Sequence, residues 1–289
     1  MIKDSIDYII KIATNPPYSN NLLVARQEYQ KYAGDIFDDD KSYENQMALF
    51  LEWYIFDRIE PGHDQTVLEL IINNDKGEAL DPLKKINGFI SHIHGLFIIK
   101  KIKEHSIKAI NLFDNKQYVV EPSGKLYFSK NSIFEGRLLI YENSYYFTGN
   151  FCFHPEGSKK FIKSEIKKIV SLQKINVKEL KLQNVKLKNE NKKLNKTISL
   201  IEKLQEKIQR LNSEKKILEI KNDLSELESI KEKHEENYSL LKQKINIFTH
   251  EKIIRERQSI QTRLMLKLSS KRLLLERSRN IDLKQIYKN

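Results

Sequence analysis

Apolar residues at helical spacing dominate the first third of the chain. Apolar positions three or four residues apart indicate amphipathic helices. They recur in Ile6–Ile12, Leu22–Tyr32, Met47–Ile55 and Thr66–Ile72. Asp64 or Thr66 can cap the last of these helices by accepting backbone N–H bonds. Residues 1–90 are therefore predicted to be mainly helical.

The pattern changes after Gly95 to short runs rich in β-branched and aromatic residues. The runs are Leu96–Ile102, Ile107–Phe113, Gln117–Val120, Arg137–Tyr141 and Tyr145–Thr148. Turn residues separate them, as at Asp114-Asn115-Lys116. Five successive strands with no helix between them favour an antiparallel meander or a small barrel. Residues 1–157 are therefore predicted to form an α+β domain, helical over 1–90 and β-rich over 95–155.

The rest of the chain, residues 158–289, contains no glycine and no proline, although the sequence has nine Gly and six Pro. Because these two residues are the main breakers of helix interiors, this segment is predicted to be helical throughout. The expected architecture is an α+β N-terminal domain followed by a long all-α coiled-coil tail. The first turns of the tail, with Phe161, Ile162 and Ile166 on one side, are expected to pack on the α+β domain.

Two apolar seams run along the tail. The first repeats every seven residues, as in a leucine zipper, through Leu180, Leu187, Leu194, Ile201 and Ile208. A second row beside it would place Asn184 and Asn191 at buried positions. The second seam follows at alternating three- and four-residue steps through Ile217, Ile220, Leu224, Leu227, Lys231, His234, Tyr238, Leu241, Ile245 and Phe248.

The two seams differ in register, with the break near residues 212–216. Such a break marks a stutter, a local unwinding or a turn at which the chain folds back. The seams are too apolar to stay exposed on single helices. They must pair, either with another copy of the chain or within a hairpin, and homo-oligomerisation is the expectation.

Charge is distributed unevenly between the two regions. Residues 1–157 carry 17 Lys/Arg and 22 Asp/Glu, whereas residues 158–289 carry 34 and 17. The basic tail suits an anionic partner such as nucleic acid, and it equally suits solvated helix faces. No apolar run approaches the length of a membrane span, and the single Cys152 excludes an intramolecular disulfide framework. A cytoplasmic protein is expected.

One segment carries a family resemblance. Phe50-Leu51-Glu52-Trp53-Tyr54-Ile55-Phe56-Asp57-Arg58, followed by the Gly62 turn and the Gly95-Leu96-Phe97 run, resembles an uncharacterised bacterial family. That family has a Trp-centred helix ending in Asp-Arg before a β-rich half, sometimes beside a SEC-C zinc motif. The resemblance implies no activity, and the SEC-C cysteines are absent. We expect Phe50, Glu52, Trp53, Asp57 and Arg58 to form the core of this motif.

Few residues suggest chemistry. Glu52, Asp57 and Arg58 are the best candidates for a charged site, although buried groups of this kind usually form structural ion pairs. His92 and His94, with His63 and His105, give a weak metal pattern that lacks zinc-site spacing. The acidic group Asp35, Asp38, Asp39 and Asp40 lacks the alternation of a calcium loop. Cys152 reads as a core thiol. No catalytic, cofactor-binding or metal-binding residue is assigned.

Three function hypotheses follow. The first is a non-enzymatic coiled-coil adaptor or structural component of a bacterial assembly, which self-associates through its tail and presents the α+β domain to a protein partner. The second is nucleic-acid binding by the basic tail and a small barrel, with base stacking on Tyr118, Tyr127, Tyr145 and Tyr146. The third is a hydrolase of unknown substrate that uses Glu52 and Asp57.

Overall fold

The computed structural model describes residues 2–74, 86–122, 128, 131–278 and 280–288. Helices come first, then a six-stranded, mostly antiparallel sheet, then long helices, which confirms the predicted α+β region and helical tail. The helices are α1 (Ile2–Ala13), α2 (Leu22–Ala33), α3 (Tyr43–Phe56), α4 (Val67–Asn74), α5 (Lys159–Gln209), α6 (Glu214–Phe248), α7 (Glu256–Arg277) and α8 (Leu283–Ile286). Within the described residues, none of them has the length and apolar character needed to cross a membrane.

The first four helices form where the sequence pattern predicts them. In α1 the buried residues Ile2, Ile6 and Ile9 lie on one face at steps of three and four. Thr66 starts α4 through a capping box: its backbone N–H donates to Glu69, and its hydroxyl accepts from the Glu69 backbone N–H. Thr66, rather than Asp64, is therefore the cap.

Within the described part of the chain six strands follow, one more than the sequence predicts. They are β1 (Ile93–Lys103), β2 (Ser106–Asn111), β3 (Gln117–Glu121), β4 (Ile133–Tyr141), β5 (Ser144–Phe147) and β6 (Cys152–His154). Asn143, at positive φ, turns the chain between β4 and β5. The additional strand, β6, has only three residues, too few for a periodic signal.

The sheet closes on itself into a barrel. Its strand order is β1-β2-β3-β5-β4, with β4 pairing back to β1, and β6 also pairs with β4. All pairs are antiparallel except β3 with β5. The barrel interior is aromatic, with Phe97, Phe134, Phe147 and Tyr118 packed together.

Strand β4 is buried at nearly every position because both of its faces are covered. Phe134 and Leu138 point into the barrel. The alternate residues point outward. Of these, Leu139 contacts the core formed with α1–α4, and Ile133 contacts a second core formed with α5 and α7. Glu135 and Arg137 lie between them, so two charges occupy the middle of a covered outer face.

The described chain divides into two compact units, and the boundary differs from the one suggested by composition. Unit 1 comprises Met1–Val170 and Gln258–Asn289, and unit 2 comprises Ser171–Arg257. Within unit 1, Phe161 and Ile162 at the start of α5 share one core with Leu96 and Ile133 of the barrel. The same core includes Leu268 of α7 and Tyr287 near the C-terminus. The expected packing of the first tail turns is therefore confirmed, and the last 32 residues join the same unit.

Unit 2 is an antiparallel helical hairpin. The part of α5 after Val170 ends at Gln209, and the chain turns before α6 begins at Glu214. Glu190 of α5 contacts His234 of α6 at 2.5 Å, and Asn176 donates to the carbonyl of Lys252 near the other end. The register break is thus a reversal of the chain direction. A seven-residue π-helix, Thr249–Arg255, follows α6.

The seam of α5 is only partly as predicted. Ile201 is buried, and Leu180, Leu187, Leu194 and Ile208 are half-buried, as expected for a seam facing α6. The second row consists of Asn176, Gln183, Glu190, Thr197 and Leu204. Asn184 and Asn191, predicted at buried positions, are exposed, and Asn184 donates back to the carbonyl of Leu180. The prediction placed this row one residue too late along the helix.

In the motif helix α3, Phe50 is buried more deeply than Trp53. Phe50, Tyr54 and Ile55 are fully buried, whereas Trp53 is half-buried and packs on Tyr29 with ring centroids 5.4 Å apart. Phe50 also packs on Tyr29, with ring centroids 5.5 Å apart.

We therefore predict that Phe50→Ala destabilises the protein more than Trp53→Ala does. Truncating a fully buried aromatic residue costs about 3–5 kcal/mol because a cavity remains, whereas Trp53 already has a solvent-facing edge. Urea denaturation of the two variants, followed by far-ultraviolet circular dichroism, measures the difference. Equal losses of unfolding free energy would show that Trp53 is as central to the core as Phe50.

Candidate functional site

A buried network of charged side chains occupies the outer face of β4. At its centre is Arg137, which is 1% exposed and is the largest of the fully buried side chains. Its guanidinium contacts both carboxylate oxygens of Asp57, at 3.1 and 2.5 Å, and Glu52 at 3.3 Å. It also lies over the ring of Phe56, 4.8 Å from the centroid. A buried guanidinium needs such partners, because removing a charge from water is costly.

The partners of Arg137 come from α3 and its C-terminus. Glu52 lies within α3, and Asp57 is the residue that ends the helix. Asn150, in the turn after β5, donates to the second oxygen of Glu52 at 2.8 Å. The network therefore joins the helical part of unit 1 to the barrel.

Two histidines at the start of β1 extend the network. His94 lies opposite Arg137 in the β1–β4 pair. Its Nδ1 is 3.1 Å from Asp57, and its Nε2 is 3.0 Å from Glu135. His92 donates through Nδ1 to the carbonyl of Phe89, and its Nε2 is 3.4 Å from Asp57. His92 immediately precedes β1 and His94 is its second residue, and both side chains reach the same carboxylate, Asp57.

The pKa shifts follow from burial and from these contacts. Burial alone would raise the pKa of Asp57, but Arg137, His94 and His92 outweigh it and hold that pKa well below its usual range. Burial raises the pKa of Glu52 despite the charge of Arg137. Burial and Arg137 lower the pKa of His94, yet Asp57 and Glu135 more than compensate and raise it to about 8. His94 is thus held as a cation between two carboxylates.

The third residue of the sequence-predicted charged site, Arg58, belongs to a different cluster. Its guanidinium pairs with Glu28 and Glu60, each at 2.7 Å, and lies near the ring of Tyr54. Glu52 and Asp57 are therefore brought together, but Arg58 is not brought to them. The Arg137 cluster is buried, whereas in the Arg58 cluster Arg58 and Glu60 are buried and Glu28 is exposed. Ion pairs of this kind usually have a structural role.

The other weak candidates separate in the same way. His63 and His105 are exposed and do not join His92 and His94. Asp40 accepts from the backbone N–H of Phe37 and pairs with Arg277 of α7. Asp38 and Asp39 are exposed. The acidic segment is therefore a capped turn that contacts α7.

A cavity of about 410 Å³ lies in unit 1 beside the network. Its wall includes Tyr29, Ser42, Gln46, Phe151, Cys152, Ser269, Arg272 and Glu276. Among the described residues, this wall contains neither Glu52 nor Asp57, so the carboxylates proposed for a hydrolase do not face the cavity. Cys152 of β6 does line it, and so does Ser269, which also donates to Glu135.

The most informative residues of the site carry no sequence signal of their own. Glu135 and Arg137 lie on β4 and His154 lies on the three-residue β6. The contacts of Arg137 with Asp57 and Glu52 join residues 80 and 85 positions apart. One feature could have drawn attention to them: two charges at alternate positions, Glu135 and Arg137, in an otherwise apolar strand. The described residues that could hold a metal ion are Glu135, Cys152 and His154, whose ligand atoms lie within 4.8 Å of one another.

Comparison with known proteins identifies the family. The chain belongs to a protein family of unknown function, DUF7986, which matches residues 23–186. This range covers α2–α4, the barrel and the first part of α5. No curated protein matches the chain, and no solved structure matches it. The expectation of an uncharacterised family is therefore confirmed at that level.

We predict that Arg137→Met destabilises the protein by about 3–5 kcal/mol, because it leaves Glu52 and Asp57 buried without their main cation. The loss should shrink as the pH falls from 7.5 towards 5. In the wild type the lowered pKa of Asp57 gives stability that is present above about pH 4 and lost only in stronger acid. In the variant the unpaired carboxylates take up protons at higher pH, which relieves the cost.

Denaturant titrations at the two pH values measure this effect. The control is Lys159→Met, which removes an ion pair with the exposed Glu156 and should change stability little at either pH. A loss for Arg137→Met that does not depend on pH would mean that lost packing, and not unpaired charge, is responsible.

Proposed function

We propose that this member of the DUF7986 family is a non-enzymatic assembly protein that associates with a second copy of itself through unit 2 and presents unit 1 to a protein partner. The main observation behind this proposal is a second set of apolar residues on the hairpin, separate from the residues through which its two arms pack on each other. The absence of Glu52 and Asp57 from the described wall of the cavity disfavours the hydrolase alternative.

The hairpin buries little of its apolar surface by itself. Along its two arms, the described residues that are buried are Thr197, Ile201, Ile220 and Ile245, each still 7–9% exposed. The remaining seam residues, such as Leu187 and Leu224, stay half-exposed. Two helices alone leave much of each seam open to water, and bundles of four cover it.

Each arm also carries exposed apolar residues at heptad spacing. On α5 these are Ile175 and Leu182, and on α6 they are Leu240 and Ile247. Residues seven apart lie on the same helical face. We call these four residues the outer stripe.

The outer stripe borders one groove between the two arms. Ile247 lines this groove together with Glu179 and Lys186 of α5. Leu182 follows Glu179 by three residues and precedes Lys186 by four, so it shares their face. Leu240 lies seven residues before Ile247. The apolar residues of both arms therefore flank the same groove.

A second copy of the chain suits this groove because the groove carries both signs of charge. Glu179 and Glu251 line it together with Lys186, Lys244 and Lys252. A two-fold interface places the same patch on both partners. A patch of mixed charge can then set the acidic groups of one copy against the lysines of the other, which gives a four-helix bundle with apolar contacts at its centre.

We predict that the full-length protein is a dimer at tens of micromolar and that Leu182→Glu combined with Ile247→Glu makes it monomeric. Light scattering coupled to gel filtration measures the mass. The matched control is Leu218→Glu, which also replaces an exposed leucine (63% exposed, against 59% for Leu182) but does not belong to the outer stripe. A monomeric wild type would refute self-association, and a dimer that resists the double change would place the interface elsewhere.

A second candidate, nucleic-acid binding, is favoured by the charge of one arm of the hairpin. Residues 171–210 carry 11 Lys/Arg and four Asp/Glu. In contrast, basic residues of α7 are paired within unit 1, as Lys267 is with Glu165 and Arg277 with Asp40. Of the tyrosines proposed for stacking, Tyr118 is buried in the barrel, Tyr145 and Tyr146 are half-exposed, and Tyr127 lies outside the described residues.

If this candidate is correct, affinity for a single-stranded oligonucleotide should be sequence-independent and should fall steeply between 50 and 200 mM salt, because phosphate contacts release counterions. Changing Lys181, Lys188 and Lys192 to Glu should weaken binding strongly. Changing Lys215, Lys233 and Lys242 of α6 to Glu alters the net charge equally and should weaken it less. Fluorescence anisotropy compares the two. Equal effects would point to net charge alone, and salt-resistant binding would contradict a phosphate-based contact.

A further inference from the structure

Three potential metal ligands meet on the outer face of the barrel because β6 pairs with β4. The register sets Cys152 opposite Glu135, and His154 opposite Ile133. Cys152 and His154 are two residues apart on a strand, so their side chains share one face. The carboxylate, the thiol and the imidazole place their ligand atoms within 4.8 Å of one another, and all three residues are buried.

His154 is the decisive member of this cluster. Its side chain is 5% exposed, and neither ring nitrogen has a hydrogen-bond partner among the described residues. Buried polar groups are almost always hydrogen-bonded, and an exception needs an explanation. Here one nitrogen lies beside a carboxylate oxygen and a sulfur, so a cation among the three would satisfy it.

We propose that Glu135, Cys152 and His154 bind one divalent transition metal ion of the zinc type. Sulfur, imidazole nitrogen and a single carboxylate form a ligand set that Zn²⁺ accepts in tetrahedral geometry. Magnesium and calcium prefer oxygen ligands alone, so this set disfavours them. The ligand atoms must draw in slightly to reach bonding distances of about 2.0–2.3 Å.

The surroundings fit such a site. Glu135 also receives hydrogen bonds from His94 at 3.0 Å and from Ser269 at 3.3 Å, so its carboxylate is oriented by two neighbours. Supporting contacts of this kind commonly position metal ligands. Cys152 and Ser269 line the cavity of about 410 Å³, which gives an ion a route to the ligands and leaves room for a fourth ligand such as water.

Metal binding here requires the thiol to lose its proton. Burial, together with the negative charge of Glu135, raises the pKa of Cys152 to about 12, so the free thiol is protonated at neutral pH. Burial lowers the pKa of His154 to about 4, so its imidazole is neutral and has a free lone pair. When the metal–sulfur bond forms, the thiol proton passes to solvent, and one proton is released for each ion bound.

Cobalt and zinc titrations of the full-length protein, without an affinity tag, test the proposal. We expect one Co²⁺ per chain, with a thiolate-to-cobalt charge-transfer band in the near ultraviolet, and Zn²⁺ should displace the cobalt. Cys152→Ser should lose the band. His154→Gln and Glu135→Gln should bind at least tenfold more weakly. The matched control is His105→Gln, which replaces an exposed histidine and should leave the affinity unchanged.

Thiol labelling provides a second measurement that does not need a cysteine variant to fold. Cys152 is the only cysteine in the chain, so a thiol-reactive reagent reports on it alone. Zn²⁺ should slow the labelling of the wild type and should not slow that of His154→Gln. The proposal is overturned if the wild type binds no metal. It is also overturned if the band persists in Cys152→Ser, or if His154→Gln binds as tightly as the wild type.

Discussion

The burial of Arg137 is the constraint on which unit 1 depends. A guanidinium carries a permanent charge, so it can be 1% exposed only if carboxylates follow it into the interior. Asp57 and Glu52 do so from α3. The bidentate contact with Asp57 fixes both distance and angle between the end of α3 and the middle of β4. Apolar contacts alone would tolerate sliding between these surfaces, and the ion pairs do not.

The same constraint extends along the outer face of β4. Asp57 also contacts His94, which contacts Glu135, and Glu135 accepts from Ser269 of α7. Charges of opposite sign thus alternate from α3 through the barrel towards the C-terminal helix. Glu135 belongs both to this chain of contacts and to the proposed metal site. A metal ion there would share that carboxylate with His94, which links the site to the packing of the whole unit.

Unit 2 is held together by different interactions from those of unit 1. Its helices form because strong helix formers continue for dozens of residues without glycine or proline. Apolar residues at heptad spacing then need a facing helix to pack against. The turn between Gln209 and Glu214 makes that helix the other arm of the same chain. The outer stripe, with Leu182 and Ile247 exposed, is the surface through which we propose that a second copy binds. The α5 arm is also strongly basic, a feature that does not depend on the apolar seam.

The sequence by itself determined the local elements. Periodicity within ten or twelve residues predicted the first four helices and five of the strands, and the absence of Gly and Pro predicted the long helices. The heptad series through Leu180 and Leu187 predicted an apolar seam along α5. These features depend on neighbours along the chain, so a linear pattern carries them.

Tertiary structure alone decided the rest. Strand β6 is too short for a periodic signal and exists because β4 offers an edge. Arg137 reads as an ordinary strand residue until α3 brings two carboxylates to it. Glu135, Cys152 and His154 come together only when two strands pair across a gap in sequence. The sequence placed a register break near the end of α5 but did not decide between a stutter, a local unwinding and a reversal. In each case the deciding interaction joins residues far apart along the chain, and its energy depends on burial that no local pattern records.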